Sequence, residues 1–142
     1  MASGFACRAM ALGEAVIVAG IGCRAGIDAA QIEAAIAAAL ATAGAGATLN
    51  LMAAPAAKAN ETGIVEAAYA RGVAIRWISQ HELEDADSGT VTRSARAMAA
   101  MNVHSVAEAA ALAGAGPGAR LLGPRTVVGP VTCALAKGSI TQ

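Results

Sequence analysis

The residues of this chain best suited to chemistry follow one another between positions 20 and 24. Gly20 and Gly22 precede Cys23 and Arg24, directly after the apolar run AVIVA. Glycine lets backbone N–H groups approach a ligand closely, and arginine adds a forked, permanent cation. A strand, a glycine-rich turn and a helix in this order are typical of α/β proteins that bind an anion at a helix N-terminus. The alternative is a tight turn whose glycines serve only close helix packing, with Arg24 solvated or paired with a carboxylate.

Cys23 is the candidate nucleophile of this segment. A helix N-terminus and a neighbouring arginine would both lower the pKa of its thiol. However, the two histidines, His81 and His104, fall at predicted helix starts, so no base accompanies it, and a packed turn residue is the competing interpretation. Together with Cys7 and Cys133, it makes an odd count without paired spacing. This predicts neither a disulfide nor a zinc site, and no metal or cofactor is expected.

Two carboxylates, Glu61 and Glu108, are weak candidates for acid–base chemistry. Both fall at predicted helix starts, where a carboxylate also stabilises the positive end of the helix dipole. Ser105 stands three residues before Glu108, which is the pattern of a capping box. A structural role is therefore the first interpretation of all three residues.

The elements that must position these residues alternate between strands and helices. Strands are predicted at about 14–20, 47–52, 73–78, 120–122 and 131–135. Helices are predicted from Asp28 to Gly44 or Gly46, from a cap at Asn60 to Gly72, and at 79–83, 94–100 and 105–113, with an exposed, mobile loop at 84–92. The order predicts a three-layer α/β/α domain with a mostly parallel or mixed sheet of about five strands. Residues 1–13 are interpreted as a flexible leader, and residues 14–142 as a single domain.

Composition excludes several classes of function. The chain has 142 residues, a formal net charge of zero and 2% aromatic residues. It has neither a basic stripe nor aromatic side chains for stacking on bases, so we expect no nucleic-acid partner. Residues 34–57 carry no charge, but glycine, asparagine and proline interrupt them, which argues against a membrane span. A cytoplasmic protein without a membrane partner is expected.

Five ordered segments resemble the CobE family, which is similar to the C-terminal domain of CbiG. They are GIGCR (20–24), KANETGI (58–64), SVAEAAAL (105–112), LLGPR (121–125) and VTCALA (131–136). The resemblance covers residues 14–137. His104 and Thr62 stand where the family often has proline, and both are local changes in a turn.

The resemblance implies a role in cobalamin biosynthesis, with a precorrin or corrinoid as ligand. CbiG-like proteins open a δ-lactone on the ring, so an enzymatic role would be a hydrolase-type step. A flat apolar ring with many carboxylates requires an apolar floor rimmed by cations and backbone donors. The expected ligand-binding residues, gathered at the carboxyl ends of strands, are Gly20, Gly22, Cys23, Arg24, Lys58, Ser105 and Arg125.

Three hypotheses therefore stay open. The first is a protein that binds a corrin or precorrin intermediate and assists its conversion or transfer. The second is a hydrolase that uses Cys23 on a lactone or acyl group. The third is a non-catalytic subunit that docks its alanine-rich helices onto another enzyme of the pathway.

Overall fold

The computed structural model describes residues 15–44 and 48–139, so the leader predicted at 1–13 lies outside the described residues. The strands are β1 (Ala15–Cys23), β2 (Leu51–Pro55), β3 (Ala74–Ile78), β4 (Arg120–Leu121), β5 (Thr126–Val128) and β6 (Val131–Ser139). The helices are α1 (Ala29–Ala43), α2 (Thr62–Arg71), α3 (Gln80–Ala86), α4 (Ala95–Met101) and α5 (Val106–Ala115). Short 3₁₀ turns follow β2 (Ala56–Lys58) and α3 (Asp87–Gly89).

The strands form one mixed sheet in the order β3-β2-β1-β6-β4, and β5 also pairs with β6. Strands β1, β2 and β3 are parallel, whereas β6 runs antiparallel to β1 along its whole length. The mixed sheet is confirmed. The stretch between the strands predicted at 120–122 and 131–135 contains the additional strand β5, because it folds back as a hairpin onto β6. Among the described helices, none is long and apolar enough to cross a membrane.

Helices cover both faces of the sheet, which confirms the α/β/α layers. On one face, α1 and α2 pack Ile32 and Ile64 against β1 and β2. On the other face, α3 and α5 cover Val18 and Ile78. The core contains many alanines, so the layers lie close together and the helices sit directly on the strands.

Gly20 and Gly22 lie inside β1, so the turn begins later than the sequence predicts. A Cβ atom at Gly20 would lie 2.1 Å from the Ala107 carbonyl oxygen and 2.4 Å from the Ala111 nitrogen. Gly20 therefore lets α5 rest on the strand, which is the alternative interpretation of the motif, whereas a Cβ atom at Gly22 would lie 2.6 Å from the Thr132 hydroxyl of β6.

Capping boxes form at the starts of α1 and α3. In α1, the Asp28 carboxylate accepts from the Gln31 N–H at 2.8 Å, and the Gln31 side chain accepts from the Asp28 N–H at 3.1 Å. The predicted cap at Asn60 is wrong by one residue, because Glu61 occupies the N-cap of α2. Strand β2 also starts later than predicted, at Leu51. Just before it, the Asn50 N–H donates to the Ile17 carbonyl and the Asn50 side chain accepts from the Ile17 N–H.

The exposed loop predicted at 84–92 is largely wrong. Helix α3 continues to Ala86, a 3₁₀ turn follows, and Thr90 is buried. Two carboxylates hold this segment: Asp87 accepts from the His104 N–H at 2.6 Å, and Glu108 accepts from the backbone beyond Thr90. Both partners lie far along the chain, so local polarity gives no sign of them.

Candidate functional site

A cavity of about 550 Å³ opens at the carboxyl ends of β1 and β2. Its walls come from the end of β1, the end of β2 with the 3₁₀ turn that follows, helix α4, the start of α5, the β4–β5 connection and the β5–β6 hairpin. Crevices at this end of parallel strands are the usual ligand sites of open α/β sheets. The floor and sides include Pro55, Met101, Val106 and Pro130, so the cavity combines an apolar surface with its polar rim.

Four cations line this cavity: Arg24, Lys58, Arg96 and Arg125. The side chains of Arg24 and Arg96 are exposed, whereas Lys58 and Arg125 are half-buried. Among the described residues, none of the four side chains forms an ion pair or a side-chain hydrogen bond, and no aspartate or glutamate lines the cavity. The cavity thus presents unpaired positive charge, which attracts an anionic ligand.

The structure brings five of the seven predicted ligand residues to the cavity: Gly22, Cys23, Arg24, Lys58 and Arg125. It does not place the other two there. Gly20 is buried beneath α5, and Ser105 is buried at the N-cap of that helix, where its hydroxyl accepts from the Glu108 N–H.

Sequence reasoning missed Arg96. It lies on α4, a helix with no buried residue, which forms one wall of the cavity. Met98 and Met101 of this helix stand at helical spacing and indicate a core-facing helix, so the sequence gives little sign that Arg96 borders a site.

Several backbone donors near this corner already have partners. Gly20 and Gly22 pair with β6, the Gly26 N–H donates to the Glu61 carboxylate at 2.8 Å, and the Gln31 N–H donates to Asp28. The cavity therefore offers an anion side-chain cations rather than the predicted cluster of N–H groups at the start of α1. Glu61 holds the turn after β1 and does not line the cavity.

Cys23 faces the cavity, but its environment does not activate the thiol. Burial raises the pKa of the Cys23 thiol and the Glu61 charge adds to this effect, while Lys58 opposes both. The lowered pKa that the sequence predicted is absent, because the thiol belongs to a strand and the start of α1 is capped by its own Asp28. Cys23 is therefore a protonated, half-buried thiol at neutral pH.

Neither histidine lies beside Cys23. His81 pairs with Asp85 on the exposed face of α3, and Nδ1 of His104 lies 2.8 Å from Asp87. Cys133 is fully buried in β6, which raises the pKa of its thiol to about 12. Within the described part of the chain, no group of three or more His, Cys, Asp or Glu residues is arranged to hold a metal ion.

Glu108 is fully buried and does not line the cavity. Its Oε1 atom accepts from the N–H groups of Val91 (2.7 Å) and Thr92 (2.9 Å). Its Oε2 atom accepts from the Thr92 hydroxyl (2.6 Å) and the Arg125 N–H (2.9 Å). Only half of the predicted capping box with Ser105 forms, because these four donors occupy the carboxylate. Burial raises the pKa of Glu108, but the hydrogen bonds from Thr92, Arg125 and Val91 outweigh burial and keep that pKa below its ordinary value.

Fold and cavity together define a small α/β domain with an anion-receptive crevice at the ends of its strands. The family model "Cobalamin synthesis G C-terminus" matches residues 17–136. The chain therefore belongs to this family of cobalamin-biosynthesis proteins, as its five ordered segments predicted.

Solved structures agree with this assignment. The crystal structure of CobE, a protein from the cobalamin (vitamin B12) biosynthetic pathway, is 31% identical with a TM-score of 0.82, over 94% of this chain and 97% of that one. The cobalamin biosynthesis protein chiG from Agrobacterium tumefaciens str. C58 is 39% identical with a TM-score of 0.70, over 88% of this chain and 100% of that one.

A cobalamin biosynthesis protein G homologue from Sulfolobus solfataricus shares the fold. It is 18% identical with a TM-score of 0.65, over 86% of this chain but 36% of that one. Among proteins of curated function, none matches the sequence.

Proposed function

We propose that the chain binds a polycarboxylated precorrin or corrinoid in the cation-lined cavity, and holds it for conversion or transfer within cobalamin biosynthesis. One observation carries the proposal. Arg24, Lys58, Arg96 and Arg125 line a single cavity, have no carboxylate partner among the described residues, and face no acidic side chain there.

The chemistry of the ligand fits the composition of the walls. A corrinoid is a flat apolar ring with carboxylate arms around its edge. Apolar groups such as Met101 and Val106 suit the ring, and guanidinium groups suit carboxylates because they donate paired hydrogen bonds. The cavity volume of about 550 Å³ falls within the ~300–1,000 Å³ of small-molecule sites. A ring larger than a drug-sized ligand would place one edge inside and leave the other edge accessible to a further protein.

The lining residues favour holding over hydrolysis. Acid–base catalysis needs a carboxylate or a histidine within hydrogen-bond reach of the reacting group. No Asp, Glu or His is among the described lining residues, and the pKa of the Cys23 thiol is raised by burial. The hydrolase hypothesis therefore has no supporting group in the cavity. The docking-subunit hypothesis stays a prediction.

The proposal is tested by absorbance titration with cobyrinic acid, whose peripheral side chains are all free carboxylates. Arg96→Ala should weaken binding about 2- to 5-fold, as expected for an exposed charge pair of roughly 0.5–1 kcal/mol. Arg93→Ala is the matched control: Arg93 lies three residues away, bonds to Thr90 and does not line the cavity. Equal effects of the two substitutions, or an unliganded wild-type protein at millimolar corrinoid, would remove the proposal.

A further inference from the structure

We infer that Glu108 is a positioning residue of the anion site: its carboxylate fixes the two chain segments that carry Arg125 and Arg96, without contact with the ligand. The inference rests on the proposed function and deepens it. It starts from a fully buried carboxylate that forms no ion pair within the described residues. Such a charge is costly unless hydrogen bonds satisfy it, and here its four donors come from two separate segments.

The first segment is the chain that leads into α4. The N–H groups of Val91 and Thr92 and the Thr92 hydroxyl all bond to Glu108, at 2.6–2.9 Å. Helix α4 begins three residues later and carries Arg96 on the cavity wall. The Ser94 N–H, at the N-cap of α4, donates to the His104 carbonyl at 2.9 Å, so this bond and the Glu108 bonds just before it together set where the first turn lies.

The second segment carries Arg125, in the connection between β4 and β5. The Arg125 N–H donates to Oε2 of Glu108 at 2.9 Å, while its side chain lines the cavity. The same carboxylate thus holds the backbone of Arg125 and the segment that leads to Arg96. Holding cations in place before the ligand arrives reduces the ordering entropy that binding costs.

A carboxylate is required because all four partners are donors. The amide of glutamine has one acceptor oxygen. If that oxygen accepts from the N–H groups of Val91 and Thr92, the NH₂ group faces the Arg125 N–H, so that two donors meet. Glu108→Gln therefore affects the two segments differently. The Thr92 hydroxyl can rotate and accept from the new NH₂ group, whereas the Arg125 N–H loses its acceptor. The substitution keeps the shape of the side chain and removes the fixed position of Arg125.

A double-mutant cycle for cobyrinic acid affinity tests this inference. We expect Glu108→Gln and Arg125→Ala each to weaken binding about 10-fold, and the double variant to be no more than about 2-fold weaker than either one, because both remove the same cation from its position. Arg24→Ala is the control partner, because its turn has no bond to Glu108, and its effect should multiply with that of Glu108→Gln. Amide hydrogen exchange supplies a readout without ligand: the Arg125 amide should exchange at least about 10-fold faster in Glu108→Gln, with the Ile21 amide in β1 unchanged.

Each outcome decides one proposal. Provided that cobyrinic acid binds the wild type, any of three results would overturn the inference. These are effects of Glu108→Gln and Arg125→Ala that multiply, wild-type affinity in either variant, and an unchanged exchange rate of the Arg125 amide. Failure of the wild type to bind refutes the proposed function instead, and the exchange rate still shows whether Glu108 orders the Arg125 segment. Should Glu108→Gln not fold, Thr92→Val removes one of the three bonds between Glu108 and the segment that leads into α4. We expect the Val91 amide to exchange faster in this variant, and an unchanged rate would contradict the inference.

Discussion

The four cations of the cavity differ in burial, so their expected contributions to binding differ. An exposed charge pair contributes roughly 0.2–1 kcal/mol, because water screens it and the long side chain must be ordered. Water screens a half-buried cation less. Lys58 and Arg125 should therefore contribute more to binding than Arg24 and Arg96.

This ranking predicts graded losses of affinity. Arg125→Ala should weaken the binding of cobyrinic acid about 10-fold, whereas Arg24→Ala should weaken it about 2- to 4-fold. Isothermal titration calorimetry measures both values. The reverse order would show that the ligand lies towards the outer rim, away from the β4–β5 connection that carries Arg125.

The Cys23 thiol should be unreactive at neutral pH. Burial raises its pKa above the ordinary 9.0, so the thiolate that attacks electrophiles forms only at higher pH. We expect iodoacetamide to modify Cys23 more slowly than free cysteine at pH 7, measured in a Cys7→Ser background because Cys7 is a second candidate for modification. Rapid modification with a midpoint below pH 9 would restore the nucleophile hypothesis.

Gly20 is required for packing rather than for a ligand. In Gly20→Ala the new methyl group would meet backbone atoms of α5, which cannot rotate away. The substitution should lower the free energy of unfolding by about 2–3 kcal/mol. Gly123→Ala is the control, because a Cβ there meets nothing within 4 Å. Equal urea midpoints for the two variants would show that α5 does not rest on β1 as described.

Residue types predicted part of the site and missed the rest for physical reasons. Arg24, Lys58 and Arg125 share a cavity because each follows the end of a strand, which the order of elements predicts. The partners of Glu108 lie 16 and 17 residues away in irregular chain. A capping pattern concerns only residues within one turn of a helix. It therefore predicts a cap for Glu108 and not the hydrogen bonds that this side chain forms with distant segments.

At the scale of elements, the Glu108 anchor makes stability depend on pH. The pKa of Glu108 is lower in the folded protein than its ordinary value of 4.5. A carboxylate of this kind stabilises the fold fully above about pH 4.5, and its contribution is lost as the pH falls through the lower folded value.

We therefore expect Glu108→Gln to be about 2–3 kcal/mol less stable than the wild type at pH 7, because a charged acceptor is lost and one buried N–H becomes unpaired. The difference should shrink as the pH falls below 4.5. Urea unfolding at pH 3 to 7 measures it, with Glu66→Gln on the exposed face of α2 as the control for removing one carboxylate. A difference that stays constant down to pH 3 would mean that the pKa of Glu108 is the same in the folded and the unfolded protein, so that its hydrogen bonds do not favour the charged form.

At the scale of the whole molecule, the predicted layers, the five helices and the mixed sheet are confirmed, since the alternation of apolar and capping patterns fixes them. Strand β5 was interpreted as loop because prolines and glycines surround its three residues, and only pairing with β6 makes them a strand. A hairpin formed by tertiary contact leaves a weak local signal.

Charge is distributed unevenly over this molecule. The formal net charge is zero, yet four of its ten Lys and Arg residues line one cavity without a described acidic neighbour in its walls. The account therefore predicts selection for carboxylates, because the same ring with amide arms would leave these cations without partners.

The most direct measurement is a paired titration of the wild-type protein with cobyrinic acid and with cobinamide, whose ring is the same but whose arms are amides. We expect the acid to bind at least about 10-fold more tightly at low salt, with a smaller preference at roughly 0.5 M salt because ions screen the exposed charges. Equal affinities for the two corrinoids, unaffected by salt, would contradict the claim that the four cations recognise the ligand.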